Sequence, residues 1–397
     1  MITLEFRLVG AQRQFTALDE AIRTTQFIRN KCVRLWQDTC DTTRADLSSY
    51  CRLLAQEYPF VRHLNSQARQ AAAERAGAAI MRFYRNCRQK KPGKKGYPRF
   101  QKDCRSVEYK TTGWKLDERR RHLTLTDGTG MGTFKLRGTR ALVGYALGAI
   151  KRVRLLRRAD GCYAQFCLEG ERHIDVAQTG TAIGVDLGLT HFYTDSNDDE
   201  KDNPRYLRRS EKALKRLGRR VSRKMKGSKN RAQARIKLAR KHLKVQRQRK
   251  DFAVKTARAL VMSNDVIVFE DLRVANMVKN RHLSKSISDA GWRLFRTWLE
   301  YLARVHGKVV VAVPPEYTTQ ECSRCGTLVK KTLSERTHVC PKCGLVLGRD
   351  HNAARIILSR GLALLGDKLP QGSAESHAWG EKSLYAPRET VLRKPAR

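Results

Sequence analysis

The sequence has no long apolar stretch. None of its 397 residues lies in a run of about 18 or more apolar residues, the length that a membrane-spanning helix needs. Its first residues, Met1–Arg7, lack the basic start and the apolar stretch of a secretory signal peptide. We therefore expect no membrane anchor, no secretion and a cytoplasmic location.

Acidic residues are also scarce. The chain has 38 Asp and Glu against 81 Lys and Arg, a formal net charge of +43. Hydrophobic residues still make up 41%, which is enough for folded cores, and the length favours two or three domains. So large a basic excess favours a polyanionic partner, and nucleic acid is the leading one. An anionic membrane surface is the alternative, which the absence of apolar runs disfavours.

The eleven cysteines do not indicate a disulfide framework, because the cytosol keeps thiols reduced. Seven of them are scattered without ligand-like pairing and are interpreted as small core or surface thiols. These seven are Cys32, Cys40, Cys51, Cys87, Cys104, Cys162 and Cys167. The other four form two close pairs.

About half of the positive charge lies in residues 205–258. This segment has 23 Lys or Arg and only two acids, Glu211 and Asp251. Apolar residues nevertheless recur at helical spacing on both sides of a turn predicted at 226–230. The pattern predicts two long helices with one packed face and one strongly cationic face, whereas a merely solvated face would mix both signs.

The predicted secondary structure of the remaining sequence changes twice. Helical periodicity precedes a Pro/Gly/Lys linker at 89–96, and short β-type runs at 97–174 predict a small antiparallel sheet or barrel. Its glycine-rich segment 128–132 is interpreted as a hairpin turn, since no helix follows as in a phosphate-binding loop. After Gly180 an α/β pattern begins. Its predicted elements are buried strands at 181–189, 265–270 and 308–313 and helices that begin at Ser288 and Asp350.

Three carboxylates stand in or at the end of these apolar elements: Asp186, Glu270 and Asp350. A carboxylate beside a buried strand is costly unless a cation compensates its charge. Carboxylate oxygens suit Mg²⁺ or Mn²⁺, and three such groups can hold the two ions of a phosphodiester-cleaving site. Taken singly, each acid could instead be a cap or an ion-pair partner.

Cys322–Cys325 and Cys340–Cys343 form two CxxC pairs, each followed by a glycine that permits a tight turn. This spacing predicts one structural Zn²⁺ in a closed four-sulfur site. Two such pairs argue against a redox motif. The neighbouring His338 is interpreted as a bystander.

The order and spacing of the motifs resemble one protein family, the TnpB (OrfB) proteins of insertion-sequence transposons, relatives of the type V CRISPR effector nucleases. The similarity spans residues 97–357. The first 90 residues resemble the family only in their general residue pattern. The motifs are Gly184–Gly188, Phe269–Leu272, the two cysteine pairs and Arg349–Ala354, supported by Tyr97–Phe100, Lys285–Asp289 and Thr319–Cys322.

The resemblance implies a multidomain α+β fold. A helical recognition lobe and a β-barrel wedge domain would precede an RNase H-like (RuvC) α/β nuclease domain with an inserted zinc ribbon. The expected segments are the first part of the wedge (1–10), the recognition domain (11–95), the wedge barrel (96–178), the nuclease with two acids and the basic helix pair (179–316), the target-nucleic-acid-binding ribbon (317–347), the nuclease with the third acid (348–365) and a polar tail (366–397).

The resemblance also implies an RNA-guided DNA endonuclease that cuts next to a short flanking motif, with base pairing supplying most of the specificity. Asp186, Glu270 and Asp350 match the catalytic acids that hold two Mg²⁺ or Mn²⁺ ions, and the four cysteines match the zinc ligands. Asp271 is at most a supporting residue, and the acidic group 198–200 is a solvated loop. Expected partners are a resident guide RNA and double-stranded target DNA, with a monomer favoured.

Three alternatives stay open: a guide-directed DNA-binding regulator without cleavage, a compact CRISPR type V effector and a conventional transposase. The complete set of acids disfavours the first. The second shares the same chemistry, so sequence cannot separate it. The order of the acids around the inserted ribbon fits the third poorly.

Overall fold

The computed structural model describes residues 1–139, 142–332 and 334–366. These residues form two units, Met1–Glu171 and a second that begins at Arg172. No helix among the described residues is long and apolar enough to cross a membrane. The predicted tail at 366–397 lies, from residue 367 on, outside the described residues.

Helical periodicity in the first 90 residues produces four helices, as predicted in outline. The α1 stripe of Leu18, Ile22, Ile28 and Cys32 is fully buried, and Leu35 packs beside it. The helices are α1 (Gln12–Thr39), α2 (Arg44–Glu57), α3 (Pro59–His63) and α4 (Ser66–Arg88).

Alternating apolar residues give the first unit a seven-stranded antiparallel sheet in the order β2-β6-β7-β1-β5-β4-β3. Of the two predicted alternatives this is the sheet, with β2 and β3 at its ends. The strands are β1 (Ile2–Val9), β2 (Ser106–Tyr109), β3 (Trp114–Leu116), β4 (His122–Leu125), β5 (Thr133–Arg137), β6 (Ile150–Arg158) and β7 (Gly161–Leu168).

One hydrophobic core joins these helices to the sheet. The ring centroids of Phe15 in α1 and Phe134 in β5 are 5.5 Å apart. Buried residues of α1, α2, α4 and the strands form a single hydrophobic cluster. The segment 128–132 connects the antiparallel strands β4 and β5, so it is a hairpin connection as predicted.

The second unit is built on a mixed sheet in the order β10-β9-β8-β11-β12. Strands β8, β11 and β12 are parallel, and β9 and β10 are antiparallel additions. The strands are β8 (Ala182–Asp186), β9 (His191–Asp195), β10 (Glu200–Asp202), β11 (Val266–Glu270) and β12 (Val309–Val313), with a separate hairpin of β13 (Thr337–Val339) and β14 (Val346–Gly348).

The predicted pair of long helices is confirmed, with corrected ends. The connecting turn spans residues 223–228 rather than 226–230, because the Ser228 hydroxyl accepts a hydrogen bond from the Arg231 amide and so begins the second helix. The helices of this unit are α5 (Tyr206–Ser222), α6 (Lys229–Ser263), α7 (Val274–Met277), α8 (Ser284–Ala290), α9 (Trp292–Val305) and α10 (Arg349–Gly366).

The helix predicted to begin at Ser288 begins instead at Trp292. Gly291 has a φ of 75° and separates α8 from α9. Ser288 therefore belongs to the preceding short helix α8. The apolar residues Phe295, Leu299 and Val305 of α9 are buried.

Two glycines allow α10 to lie directly on the sheet. A Cβ at Gly184 of β8 would stand 2.1 Å from the Ala354 carbonyl oxygen, and one at Gly361 of α10 would stand 2.4 Å from the Val268 side chain. Neither position has room for a methyl group. Gly184, the first glycine of the Gly184–Gly188 motif, is thus required by the close approach of helix and strand.

We expect Gly184→Ala to destabilise the second unit by about 3 kcal/mol, since the new methyl group meets backbone rather than a movable side chain. Gly218→Ala is the matched control, because nothing lies within 4 Å of a Cβ there in α5 and alanine favours a helix. Thermal unfolding of the two variants measures the difference. Equal melting temperatures would contradict the tight helix–strand contact.

Candidate active site and metal centre

The structure brings the three predicted acids to one edge of the mixed sheet. Asp186 is the last residue of β8 and Glu270 the last residue of β11, and these strands are parallel neighbours. Their carboxyl ends therefore meet at the same edge. Asp350 is the second residue of α10, which packs on β8 through Gly184.

Burial and mutual repulsion dominate the electrostatics of this edge. Burial, then the charges of Glu270 and Asp350, raise the pKa of Asp186 well above its usual value. Burial also raises the pKa of Glu270. Because the acids repel one another, a cation between them would relieve both the repulsion and the cost of burial. The chemistry of these oxygen donors therefore fits a divalent ion such as Mg²⁺.

The oxygen atoms of the three carboxylates do not all lie within 4.8 Å of one another, as the ligands of a single ion would. Among the described residues, the only group of three or more His, Cys, Asp or Glu with all ligand atoms within 4.8 Å of one another is the four cysteines. The charges of Glu270 and Asp350 still raise the pKa of Asp186, so the three carboxylates are neighbours although their oxygen atoms do not form one compact group.

The raised pKa values predict how pH acts on the protein without Mg²⁺. The folded state binds more protons at these acids than the unfolded chain does, so stability falls as pH rises from about 4, the usual aspartate value, toward the raised pKa. Asp186→Asn should therefore raise the melting temperature in magnesium-free buffer, more at pH 7.5 than at pH 5. Differential scanning fluorimetry at both pH values tests this. A variant that melts at or below wild type at pH 7.5 would disagree with it.

Three neighbours of the acids were not found by sequence reasoning. The buried Thr318 places its hydroxyl 2.5 Å from Glu270 Oε1. Arg349 places Nε 3.1 Å from Asp350 Oδ1, and the charge of Arg360 opposes the rise in the Glu270 pKa. The only sequence signal for Thr318 was its position just before the Thr319–Cys322 motif.

The other acids near this edge have structural partners. Asp271 pairs with Arg296 and is exposed, which agrees with a position on the opposite strand face. The acidic group 198–200 is exposed, but only Asp198 and Asp199 lie in the predicted loop, since Glu200 is the first residue of β10. Within it, Asp198 Oδ1 lies 3.2 Å from His351 Nδ1, beside the third acid.

The four cysteines form the group that their spacing predicts. All their sulfur atoms lie within 4.8 Å of one another, with Cys322–Cys343 and Cys325–Cys340 each 3.6 Å apart. The glycines that follow each pair, Gly326 and Gly344, have φ values of 73° and 69°, as the turns require. This group could hold a metal ion, and four sulfur donors fit zinc.

The surroundings of the cysteines shift individual thiols in different directions: the pKa values of Cys325 and Cys340 are lowered, whereas burial and hydrogen bonds with the other cysteines raise the pKa of Cys343 to about 12. Hydrogen bonds from the hydroxyl and backbone of Thr327 lower the pKa of the Cys325 thiol to about 6. His338 is fully buried but is not part of the four-cysteine group: its Nδ1 contacts Lys331 Nζ, and burial lowers its pKa. The interpretation of His338 as a bystander therefore agrees with the structure.

The α5–α6 pair presents the cationic surface that the sequence predicts. Most of its basic side chains are exposed, while Leu214, Ala234 and Val245 are buried. The buried Asp289 accepts hydrogen bonds from the backbone amides of Leu207 and Arg208 at 2.8 and 3.0 Å, so it caps the start of α5. This contact gives the Lys285–Asp289 motif a role in placing the cationic helices.

Two family models match parts of this chain. Residues 165–281 match OrfB_IS605, described as "Probable transposase", and residues 292–357 match the Cas12f1-like TNB domain. A Streptomyces pristinaespiralis protein named "Putative RNA-guided DNA endonuclease" is 42% identical over 187 residues, covering 47% of this chain and 46% of that relative. The match thus spans about half of that relative's length.

A second relative is matched over more of its length. It is the Escherichia coli protein named "Putative RNA-guided DNA endonuclease InsQ", 29% identical over 78% of both chains. A mimivirus protein named TnpB-like protein L79 is 32% identical over 30% of this chain and 24% of its own.

Solved structures share the fold. The Cas12f1 chain of a complex with guide RNA and target DNA superposes with a TM-score of 0.50 at 13% identity, covering 87% of this chain and 81% of that chain. The mini-RNA-guided endonuclease CRISPR-Cas_phi3 gives a TM-score of 0.53 at 10% identity, covering 90% and 92%. The mixed α+β fold is thus that of Cas12-type proteins. The resemblance indicated by the sequence motifs is confirmed: this chain is similar to TnpB-like proteins, and its residues 165–281 and 292–357 match OrfB_IS605 and the Cas12f1-like TNB domain.

Proposed function

We propose that this protein is an RNA-guided DNA endonuclease of the TnpB type, which hydrolyses DNA phosphodiesters beside a short flanking motif. The observation that carries the proposal is the meeting of Asp186, Glu270 and Asp350 at one edge of the mixed sheet. The similarity to relatives that bear this name supports it.

In this proposal residues 179–316 and 348–365 form the RNase H-like nuclease domain. The five-stranded mixed sheet with parallel β8, β11 and β12 supports the assignment. The ribbon at 317–347 would bind target nucleic acid and hold one structural Zn²⁺ through its four cysteines. The helical segment 11–95 and the β-rich segments 1–10 and 96–178 would grip the guide RNA and the flanking duplex.

Asp186, Glu270 and Asp350 would hold the divalent ions, which when bound supply activation of water and stabilisation of the departing oxygen. The protein's own contribution is to place and orient these acids. Strand ends fix Asp186 and Glu270, the Thr318 hydroxyl orients the Glu270 carboxylate, and α10 carries Asp350. The exposed cationic face of α5–α6 would bind the phosphates of the guide–target duplex.

Purification of the protein from an expressing host, followed by sequencing of the RNA that co-purifies, tests the proposal. We expect one discrete RNA that ends in a variable guide, and Mg²⁺-dependent cleavage of a plasmid with the matching target beside the flanking motif. Heterogeneous RNA and no cleavage would contradict it. Tight target binding with protection instead of cutting would favour the DNA-binding regulator, and a repeat array near the gene would favour a CRISPR effector.

A further inference from the structure

Two short segments connect the four-cysteine group to the carboxylate site. Residues 314–321 run from the end of β12 to Cys322, and α10 begins directly after the hairpin that contains the second cysteine pair. Contacts made by these segments can therefore transmit a change at one site to the other. Two buried side chains, Asn352 and Thr318, make such contacts.

Asn352 joins α10 to the first cysteine pair. It is fully buried and lies two residues after Asp350. Its Oδ1 accepts a hydrogen bond from the Ser323 amide at 3.0 Å, and its Nδ2 donates one to the Glu321 carbonyl at 2.7 Å. Ser323 and Glu321 flank Cys322, so one side-chain amide fixes the backbone on both sides of a sulfur ligand to the helix turn that carries Asp350.

Thr318 joins the same segment to the second acid. Its hydroxyl is 2.5 Å from Glu270 Oε1, which is closer than its other partner, the Pro315 carbonyl at 3.1 Å. Thr318 stands four residues before Cys322. Its neighbour Tyr317 has a φ of 63°, an unfavourable conformation for a bulky residue that persists only where the surroundings determine it.

Arg360 fastens this segment to the far part of α10. Its guanidinium donates to the Glu316 carbonyl at 2.8 Å and to Glu321 Oε2 at 2.6 Å. The segment before Cys322 is thus tied to α10 at residues 352 and 360 and to β11 at Glu270. A movement of the cysteine pair cannot occur without disturbing at least one of these contacts.

We propose that Asn352 and Thr318 are positioning residues that couple the zinc ribbon to the carboxylate site, so that occupancy of the two metal sites is linked. This inference rests on the proposed function, because it requires divalent ions at the three acids. Linkage of binding is reciprocal: whatever zinc does to the affinity of the acids for a divalent ion, that ion does equally to zinc retention. Loss of a residue that supports metal ligands typically weakens metal affinity 10–100-fold.

The experiment measures zinc loss from the full-length, zinc-loaded protein purified with its bound RNA. Zinc release to a chromogenic chelator is followed by absorbance with and without Mn²⁺, so no cleavage is needed. In the wild type we expect Mn²⁺ to slow the release about tenfold, which is within the usual range of coupling between two sites. Asn352→Ala should abolish this effect, and Thr318→Val should reduce it while Thr318→Ser, which keeps the hydroxyl, retains it.

A buried asparagine outside the coupling serves as the matched control. Asn264 in the same unit is 6% exposed and donates its Nδ2 to the Leu260 carbonyl at 3.0 Å. Asn264→Ala should lose stability but keep the Mn²⁺ effect on zinc release. A wild-type response in Asn352→Ala and Thr318→Val, or an equal loss in Asn264→Ala, would overturn the coupling.

Asp186→Ala separates this inference from the proposed function. If the acids bind Mn²⁺, this variant should release zinc at one rate with and without Mn²⁺. If Asp186→Ala still responds like the wild type, Mn²⁺ acts elsewhere and the proposed carboxylate site itself fails. If Asp186→Ala loses the response but Asn352→Ala keeps it, only the coupling fails.

Discussion

Asp186→Asn is expected to reduce DNA cleavage by about 10³-fold or more. The substitution keeps the side-chain volume but removes the charge that would hold a divalent ion between β8 and α10. Metal ions contribute several kcal/mol to such transition states, and each 1.36 kcal/mol is a factor of ten in rate. Cleavage of a guide-matched plasmid in Mg²⁺ measures the loss, and RNA co-purification shows that the variant still folds and binds its guide.

The adjacent carboxylate supplies the control for this prediction. Asp271 follows Glu270 directly but pairs with Arg296 and has a 58% exposed side chain. Asp271→Asn should therefore cut at nearly the wild-type rate, whereas Glu270→Gln should behave like Asp186→Asn. Full activity in either Asp186→Asn or Glu270→Gln would remove the two-metal assignment.

Cys340→Ser should unfold the ribbon. Structural zinc in small domains contributes about 10–16 kcal/mol to local folding, and Cys340 is a fully buried member of the four-cysteine group. We expect bound zinc to be lost, target DNA binding to weaken strongly and guide RNA binding to persist. Elemental analysis and filter binding with each nucleic acid measure the three quantities.

Cys87→Ser is the comparison for that variant, because Cys87 is an exposed thiol near the end of α4. It should retain zinc and bind both nucleic acids as the wild type does. If Cys340→Ser lost guide RNA and target DNA equally, or neither of them, the separate role of the ribbon in target binding would be wrong.

Much of this architecture could be predicted from residue patterns that act locally. The apolar run at 265–270 forms a buried strand because its side chains need covering on both faces. The run at 308–313 was also predicted as a buried strand, but it forms the edge strand β12, in which only Val313 is buried. The CxxC spacing defines a sulfur cluster without knowledge of the rest of the fold. The predicted start of α9 was wrong because the buried residues Ile287 and Trp292 continue one apolar pattern across Gly291, where the chain actually breaks between two helices. The conformation of that single glycine decides where the helix begins.

The contacts that place the acids could not be predicted, because they join residues distant in sequence. Gly184 meets Ala354, and Asn352 meets Ser323, only once α10 has packed on the sheet. Nothing in the local sequence of Thr318 distinguishes a threonine that binds Glu270 from one in a solvated loop. The sequence motifs were therefore enough to identify the three acids. The residues that hold these acids in place are seen only in the folded structure.

The long helix α6 has a consequence for the lifetime of the protein in the cell. Its 35 residues extend about 52 Å, and its last third packs in the core through Ala257, Leu260 and Val261. The first two thirds bury only Ala234 and Val245 and carry like charges that repel one another. A bound polyanion would stabilise this end by mass action. If the proposed guide RNA is that polyanion, newly made chains without it would open here and meet proteases first, and the abundance of the protein would follow the supply of that RNA.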